Sequence, residues 1–350
     1  MCPTGSRTNG ARSVGRIRRG SGEGGGGDVS ADDATVDVFS IPMNVRFRGI
    51  DHREGVLLGG PGGCGEFSPF WDYDVAESTA WLAAALEAAD RGFPEPVREV
   101  VPVNCTVPAV DPDRARAIVT GPHGCRTAKV KVAEPAQTLD DDVARVAAVR
   151  DAIGPEGRVR IDANGTWTVH EAIDAIKELD AFELEYVEQP VATVGELADV
   201  RRRVDVPVAA DESIRRADDP LRVKRLGAAD IAVLKVQPLG GVHACLRLAE
   251  QLGMPVVVSS ALETSVGIAA GVALAAALPE LPYACGLATT SMLTADVTAD
   301  PMTPVAGMLS ARRVQPDPAL VDGVRADEET TRRWHERLAG CRRVLEGRSG

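Results

Sequence analysis

The sequence lacks an apolar run long enough to cross a membrane, and it lacks the C-x-x-C pairs of a zinc ribbon or redox motif. Its seven cysteines are odd in number and widely spaced, a pattern typical of reduced, mostly buried thiols in a cytosolic protein. Basic residues are also few, because 39 Lys and Arg stand against 51 Asp and Glu and the net charge is −12. This charge argues against a nucleic-acid or membrane partner, but not against a small anionic substrate.

Composition shifts along the chain indicate three regions. Residues 1–35 have scattered arginines, a glycine run and no apolar signal-peptide segment, so we expect a disordered extension. A start codon placed too far upstream, or a basic arm for a partner, are the alternatives. We predict a small α+β domain over residues 36–102, completed by residues 305–350. In it we expect short strands, a turn-rich loop and two helices: Val45–Arg48, Glu54–Leu58, Gly59–Gly65, Glu77–Arg91 and Glu328–Glu346.

Residues 103–304 alternate short apolar runs with helical segments, which is typical of parallel strands covered by helices. The predicted strands are Val101–Val107, Ala128–Val132, Val159–Asp162, Leu184–Glu188, Pro207–Ala210, Ile231–Val236, Pro255–Ser259 and Tyr283–Leu287. The predicted helices are Thr138–Ala152, Val169–Leu179, Val194–Arg203, Pro220–Leu226, Val242–Leu252 and Val266–Leu278. Eight strands favour an α/β fold closed into a (β/α) barrel. A doubly wound open sheet is the alternative, disfavoured because no G-x-G-x-x-G follows the first of these strands.

Charged residues end five successive predicted strands. They are Lys129 and Lys131, then Asp162, Glu188, Asp211 and Lys235. From Lys131 onward they recur at intervals of 31, 26, 23 and 24 residues, each about one strand–helix unit. In a barrel all these strand ends open onto one face, where active sites lie. The pattern therefore predicts one cluster of acids and lysines around the mouth.

Three carboxylates that converge on one point would repel each other strongly unless a cation lay between them. Oxygen ligands are those that Mg²⁺ prefers, so we expect Asp162, Glu188 and Asp211 to hold Mg²⁺, with Mn²⁺ as the alternative. A lysine held near a dication and another lysine can act as a base near neutral pH. Together these groups suit proton abstraction next to a metal-bound carboxylate.

These motifs resemble those of the enolase superfamily, whose members pair a lysine base with Mg²⁺. Lys129-Val130-Lys131 resembles the K-x-K of the second barrel strand, and Lys235 the lysine of the sixth. The acidic motifs resemble those of the third to fifth strands: Asp162-Ala163-Asn164, Glu188-Gln189-Pro190 and Asp211-Glu212-Ser213. The resemblance implies a modified TIM barrel, with the small α+β domain as its capping domain.

Finer details resemble the o-succinylbenzoate synthase family of menaquinone biosynthesis. The segments concerned are Gly65–Phe70, Arg160, Ser259–Thr264 and Gly286. The resemblance implies a dehydratase in which Lys131 moves the proton and Lys235 stabilises the enediolate. It also implies substrate contacts by Lys129, Arg160, Asn164, Ser259, Ser260 and Gly286. The helix after the serine-rich loop offers its N-terminus to a second carboxylate.

Other functions use the same residues. An N-acylamino-acid racemase would employ both lysines as acid and base, one on each face of the substrate, and a muconate-type cycloisomerase is a weaker alternative. A barrel that only binds a ligand is disfavoured, because all five charged positions are filled. The oligomeric state stays open.

Overall fold

The structure, a computed structural model, describes Met1 and residues 36–348. The predicted disordered extension therefore lies outside the described residues apart from Met1. Within this described part, no helix is both long and apolar enough to cross a membrane. The six described cysteines are free thiols: Cys64, Cys105, Cys125, Cys245, Cys285 and Cys341.

A three-stranded antiparallel sheet with one helix packed on it begins the described chain after residue 35. Its strands and helix are β1 (Val36–Phe47), β2 (Ile50–Gly60), β3 (Gly63–Phe67) and α1 (Val75–Asp90). The expectation of a loop over Gly59–Gly65 is wrong, because β2 and β3 pair through this segment up to Gly60 and Gly63. Glycine in this segment allows helix α1 to pack closely against the hairpin. A Cβ added at Gly65 would lie 1.9 Å from the carbonyl oxygen of Ala85, so only glycine lets α1 approach the hairpin.

Seven parallel strands follow, in the order in which they occur in the chain. Strand β4 (Val100–Pro102) leads into them, and they are β5 (Cys105–Val107), β6 (Thr127–Lys131), β7 (Arg158–Asp162), β8 (Leu184–Glu188), β9 (Val208–Ala210), β10 (Ile231–Leu234) and β11 (Val256–Val258). Nearly all their residues are buried, as apolar strands covered on both faces should be. The single predicted strand Val101–Val107 is wrong, because β4 belongs to another sheet.

A short segment around Cys285 and Gly286 closes the sheet into a barrel. Cys285 bridges Val103 beside the first strand, and Gly286 bridges Ser259 after the last, both in parallel. Four backbone hydrogen bonds of 2.7–3.0 Å hold these contacts. The predicted eighth strand is thus reduced to two bridges, but the barrel is confirmed and the open doubly wound sheet is wrong.

Helices connect the barrel strands on the outside. They are α2 (Pro112–Val119), α3 (Leu139–Ile153), α4 (Val169–Leu179), α5 (Val194–Arg201), α6 (Glu212–Arg215), α7 (Arg222–Arg225), α8 (Val242–Leu252) and α9 (Ser265–Ala277). Thr138, Thr168 and Thr193 begin α3, α4 and α5, each in a capping box with an acidic residue three positions later. These caps explain why the predicted starts of these three helices are accurate to one residue. Helix α2, which begins with Asp111-Pro112, was not predicted.

The C-terminal region returns to the first sheet. Its elements are β12 (Met308–Ser310), paired antiparallel with β4, and helices α10 (Pro318–Gly323) and α11 (Glu328–Arg348). Trp334 of α11 is fully buried, and its ring meets that of Phe67 edge to face at 5.9 Å. Arg337 donates hydrogen bonds to the carbonyl groups of Phe70 and Tyr73. One hydrophobic cluster therefore joins the antiparallel sheet, α1 and α11, and a larger one fills the barrel layers.

The described residues from 36 onward form one compact unit. The predicted boundaries of a capping domain at 36–102, completed by 305–350, and of a barrel at 103–304, remain a prediction.

Replacing Gly65 with alanine should destabilise the fold by about 1–3 kcal/mol, because the new methyl group would overlap the backbone of α1. The free energy of unfolding in urea measures this. Gly195→Ala is the matched control: this exposed glycine of α5 has open space around it, and alanine there should stabilise the helix slightly. Equal effects of the two substitutions would contradict the packing argument.

Candidate active site

The carboxyl ends of the barrel strands open onto a cavity with about 450 Å³ of empty space, part of which is open solvent. The register explains the placement of the charged residues, because Lys131 is paired with Asp162 and Asp162 with Glu188 on neighbouring strands. Eight residues selected from the sequence line this cavity: Lys129, Lys131, Asp162, Asn164, Lys235, Ser259, Ser260 and Gly286. Glu188 and Asp211 lie beneath it, each bonded to one of the lining lysines.

Lys129 links two of the predicted acids. Its Nζ donates to Asp162 Oδ2 at 3.1 Å and to Glu188 Oε1 at 2.8 Å. Lys131, two residues further along β6, donates to the same Oδ2 of Asp162 at 2.6 Å. The carboxylates of Asp162 and Glu188 are both about 1% exposed, so these contacts replace the water they have lost.

A second group of contacts surrounds Asp211, just after β9. Lys235 Nζ donates to its Oδ2 at 2.6 Å, and Arg215 Nε donates to its Oδ1 at 2.9 Å. The other guanidinium nitrogens of Arg215 donate to Glu212 and to the hydroxyl of Tyr73, which belongs to the loop before α1. Each oxygen of Asp211 therefore has a cationic partner.

Burial and these contacts shift the pKa values in different directions. Burial would raise the pKa of Asp162, yet Lys131 and Lys129 outweigh it and hold that pKa well below its ordinary range. Burial would lower the pKa of Lys129, but Glu188 and Asp162 raise it well above its ordinary value, so Lys129 is a permanent cation. Burial, with Arg215 nearby, lowers the pKa of Lys235 despite Asp211. Burial and then Asp162 raise the pKa of Glu188 to about 7. The negative charge of Glu188 is thus the least compensated.

The described residues contain no group of three His, Cys, Asp or Glu side chains that could hold a metal ion in the arrangement seen. In the structure, Lys129 and Lys235 donate hydrogen bonds to oxygens of all three predicted ligands. The donor set nevertheless suits a hard dication. Glu188 Oε2 is buried and has no hydrogen-bond partner, which costs free energy unless a cation binds there.

Arg160 is not brought to the cavity, although a substrate contact was expected of it. It points into the barrel interior two residues below Asp162, fully buried. Its guanidinium donates to Glu185 at 2.5 Å, to the carbonyl of Ala284 at 2.7 Å and to the hydroxyl of Tyr186 at 3.2 Å. These partners make it a support for the barrel interior, and the expected substrate contact of Arg160 stays a prediction.

The other expected substrate contacts surround the cavity with polar groups. Asn164 has the left-handed φ of 48° and accepts a hydrogen bond from Lys131. The hydroxyl of Ser260 lies 2.8 Å from that of Thr289. A Cβ at Gly286 would lie 2.7 Å from Ser259 Oγ, so glycine lets the two strand ends meet.

The N-termini of the helices behind the cavity are already occupied by carboxylates of the protein. At α9, Glu66 Oε2 accepts from the N–H groups of Thr264 and Gly267, and Asp296 accepts from that of Ser265. At α8, Glu87 accepts from the N–H of Val242 at 2.6 Å. The expectation that α9 offers its N-terminus to a second substrate carboxylate is therefore wrong.

Several cavity residues were not predicted: Phe47, Arg48, Phe70, Thr106, Arg215, Ala261, Leu262 and Thr289. Some belong to motif segments already noted, such as Phe70 and Leu262. Arg215 stands four residues after Asp211, and this helical spacing could have identified it as a partner of that acid. Arg48 is the last residue of a predicted strand and carries no local signal.

Two family models match the chain. One is described as "Enolase C-terminal domain-like" and matches residues 113–318, and the other is described as "Enolase N-terminal domain-like" and matches residues 38–89. The chain is also similar to curated proteins called o-succinylbenzoate synthase. That of Thermobifida fusca is 63% identical over 89% of this chain and 97% of its own length, and that of Mycolicibacterium smegmatis is 54% identical over 89% and 96%.

Among solved structures, the muconate lactonizing enzyme from Pseudomonas fluorescens is similar with a TM-score of 0.73. The match covers 84% of this chain and 98% of that enzyme's chain, at 21% sequence identity. This likeness shows a shared fold.

Replacing Arg160 with methionine should lower the free energy of unfolding by about 3 kcal/mol or more, because the Glu185 carboxylate and the Ala284 carbonyl would lose their partner. Urea unfolding measures this. Arg158→Met removes an exposed arginine from the same strand and should change stability little. A fully stable Arg160→Met protein would show that this guanidinium does not support the barrel.

Proposed function

Because this chain belongs to the enolase superfamily, we infer that it catalyses the o-succinylbenzoate synthase reaction. Proteins of that name are 53–63% identical to it over nearly nine-tenths of the chain. The reaction is the syn-dehydration of 2-succinyl-6-hydroxy-2,4-cyclohexadiene-1-carboxylate to 2-succinylbenzoate in menaquinone biosynthesis, so the protein is a carbon–oxygen lyase. The geometric observation that supports this best is the presence of Lys131 and Lys235 in one cavity, from strands with three others between them.

The proton chemistry falls to Lys131. Lys131 takes the proton from the ring carbon that bears the carboxylate, and the electron pair moves onto that carboxylate as an enediolate. The enediolate collapses to expel the hydroxyl group from the neighbouring carbon, and Lys131 returns its proton to that leaving group. The products are one aromatic ring and one water molecule. Because both groups leave from one face, a single residue serves as base and then acid.

Fixed cations stabilise the negative charge that develops. Lys235 contributes its positive charge from the opposite side, and Lys129 remains protonated between Asp162 and Glu188. Charges held in place before the reaction need no reorganisation when the enediolate forms. Asn164, Ser259, Ser260 and the backbone at Gly286 supply polar contacts that orient the substrate around this centre.

Members of the superfamily generally use a divalent metal ion. We propose that Asp162, Glu188 and Asp211 hold Mg²⁺ here, with Mn²⁺ as the alternative. The bound dication supplies Lewis-acid stabilisation of charge on the substrate carboxylate. The unpartnered Oε2 of Glu188 and the burial of all three acids support the assignment.

The base assignment is tested by Lys131→Ala. Turnover of the cyclohexadiene substrate should fall by roughly 10³-fold or more, because the variant has no amine at that position to take the proton. Mg²⁺ affinity, measured by calorimetry, should change little. Lys224→Ala is the control, since this lysine donates only to a backbone carbonyl on the outside of the barrel. Near-normal turnover by Lys131→Ala would remove this residue from the mechanism.

Incubation with an N-succinylamino acid in deuterated buffer separates the synthase from a racemase that uses the same lysines. We expect turnover of the cyclohexadiene to be the efficient reaction. Rapid exchange of the α-hydrogen with racemisation, without turnover of the cyclohexadiene, would overturn the synthase assignment.

The metal assignment is tested by Glu188→Gln. The loss of one anionic ligand should weaken Mg²⁺ binding by about tenfold or more, measured by titration calorimetry on the metal-free protein. Glu183→Gln, on the exposed turn before β8, is the matched control and should bind Mg²⁺ normally. Equal affinities for the two variants would exclude Glu188 as a ligand.

A further inference from the structure

The proposed substrate carries two carboxylates, but the chemistry engages only the one on the ring. The second ends a flexible succinyl chain and needs a partner of its own, because a carboxylate taken from water without one binds poorly. The helix N-termini behind the cavity are unsuitable. Glu66 and Asp296 already occupy α9, and Glu87 occupies α8.

Most cationic residues of the cavity are also engaged. Lys129, Lys131, Lys235 and Arg215 each bond to at least one buried carboxylate at hydrogen-bonding distance. These four neutralise the acids at the barrel mouth. A second substrate carboxylate that displaced one of them would leave a buried acid of the protein unpaired.

Arg48 differs from these four cations. Its ionic contact is with Asp72, at 3.7 Å, beyond ordinary hydrogen-bonding distance. Asp72 is bonded more closely by Arg216, at 3.0 Å. Arg48 lines the cavity while its side chain remains 28% exposed. It is therefore the cavity cation with the least committed charge among the described residues.

The backbone holds Arg48 at this position. It lies in the turn between β1 and β2 with a left-handed φ of 53°, followed by Gly49 at 77°. Its guanidinium stacks on the ring of Phe70, 4.4 Å from the centroid, which fixes the plane of the side chain. The residue before Arg48 is Phe47, and the centroid of its ring lies 5.3 Å from Lys131 Nζ. One aromatic ring thus lies beside Lys131 and the other beside Arg48, and both residues line the cavity.

We propose that Arg48 binds the non-reacting carboxylate of the succinyl chain and so selects dicarboxylate substrates. This inference rests on the proposed function. A guanidinium offers two parallel N–H donors to a carboxylate, and stacking on Phe70 orients them before the ligand arrives. The apolar CH₂ groups of the chain meet Phe47 and Phe70. A ligand without the second carboxylate leaves this cation unpaired and gains nothing from it.

The experiment measures the affinities of two ligands for the wild type and for variants at Arg48 and Arg46. The ligands are 2-succinylbenzoate and 2-butanoylbenzoate, which has a methyl group in place of the chain carboxylate, and affinities are measured by calorimetry with the Mg²⁺-loaded full chain. We expect wild type to prefer 2-succinylbenzoate by roughly 10- to 50-fold. Arg48→Gln should abolish most of that preference by weakening 2-succinylbenzoate alone, and Arg48→Lys should retain part of it.

Arg46→Gln is the matched control. Arg46 lies two residues earlier, in β1, is exposed and does not line the cavity, so its variant should keep the full preference. If Arg48→Gln weakens both ligands equally, or neither, the assignment of Arg48 is wrong. If wild type turns over the cyclohexadiene yet binds the two ligands equally, only the Arg48 proposal fails. If wild type neither turns over the cyclohexadiene nor binds either ligand, the proposed function fails with it.

Discussion

The contact between the Lys129 ammonium group and the carboxylates of Asp162 and Glu188 is the interaction on which the site depends. Two buried carboxylates on adjacent strands would otherwise repel each other at a cost of several kcal/mol. The parallel register leaves them no freedom to separate, since Asp162 and Glu188 are paired directly across β7 and β8. Burial would lower the pKa of Lys129, but the two acids in turn raise it well above its ordinary value. The strand pairing that builds the barrel therefore also requires a cation between these two acids.

Charge balance at the barrel mouth explains what the site can bind. The acids Asp162, Glu188, Asp211 and Glu212 are matched by Lys129, Lys131, Lys235 and Arg215. A bound dication would add positive charge to this balance, which suits an anionic substrate. A site of this kind attracts anions although the whole chain has a net charge of −12.

The antiparallel sheet and its helix complete the site from above the barrel. Tyr73 bonds Arg215, and Arg53 of β2 donates to the carbonyl groups of Ala261 and Leu262 in the serine-rich loop. Glu66 and Glu87 occupy the helix N-termini that would otherwise compete for an anionic ligand. The same sheet presents Arg48 and two aromatic rings to the cavity. The lysines and acids of the site thus come mainly from the barrel strands. The antiparallel sheet and its loops form the outer wall of the cavity.

The sequence by itself determined the alternation of strands and helices, and with it the barrel, because strand burial and threonine caps are local signals. It also indicated the charged strand ends, since one strand–helix unit separates each from the next. Tertiary structure alone decided the direction of Arg160 into the barrel interior, the reduction of the eighth strand to two bridges, and the use of α9 by Glu66. It also brought Arg48 to the cavity. These outcomes depend on contacts between residues about 20 to 200 positions apart, and no local pattern encodes such contacts.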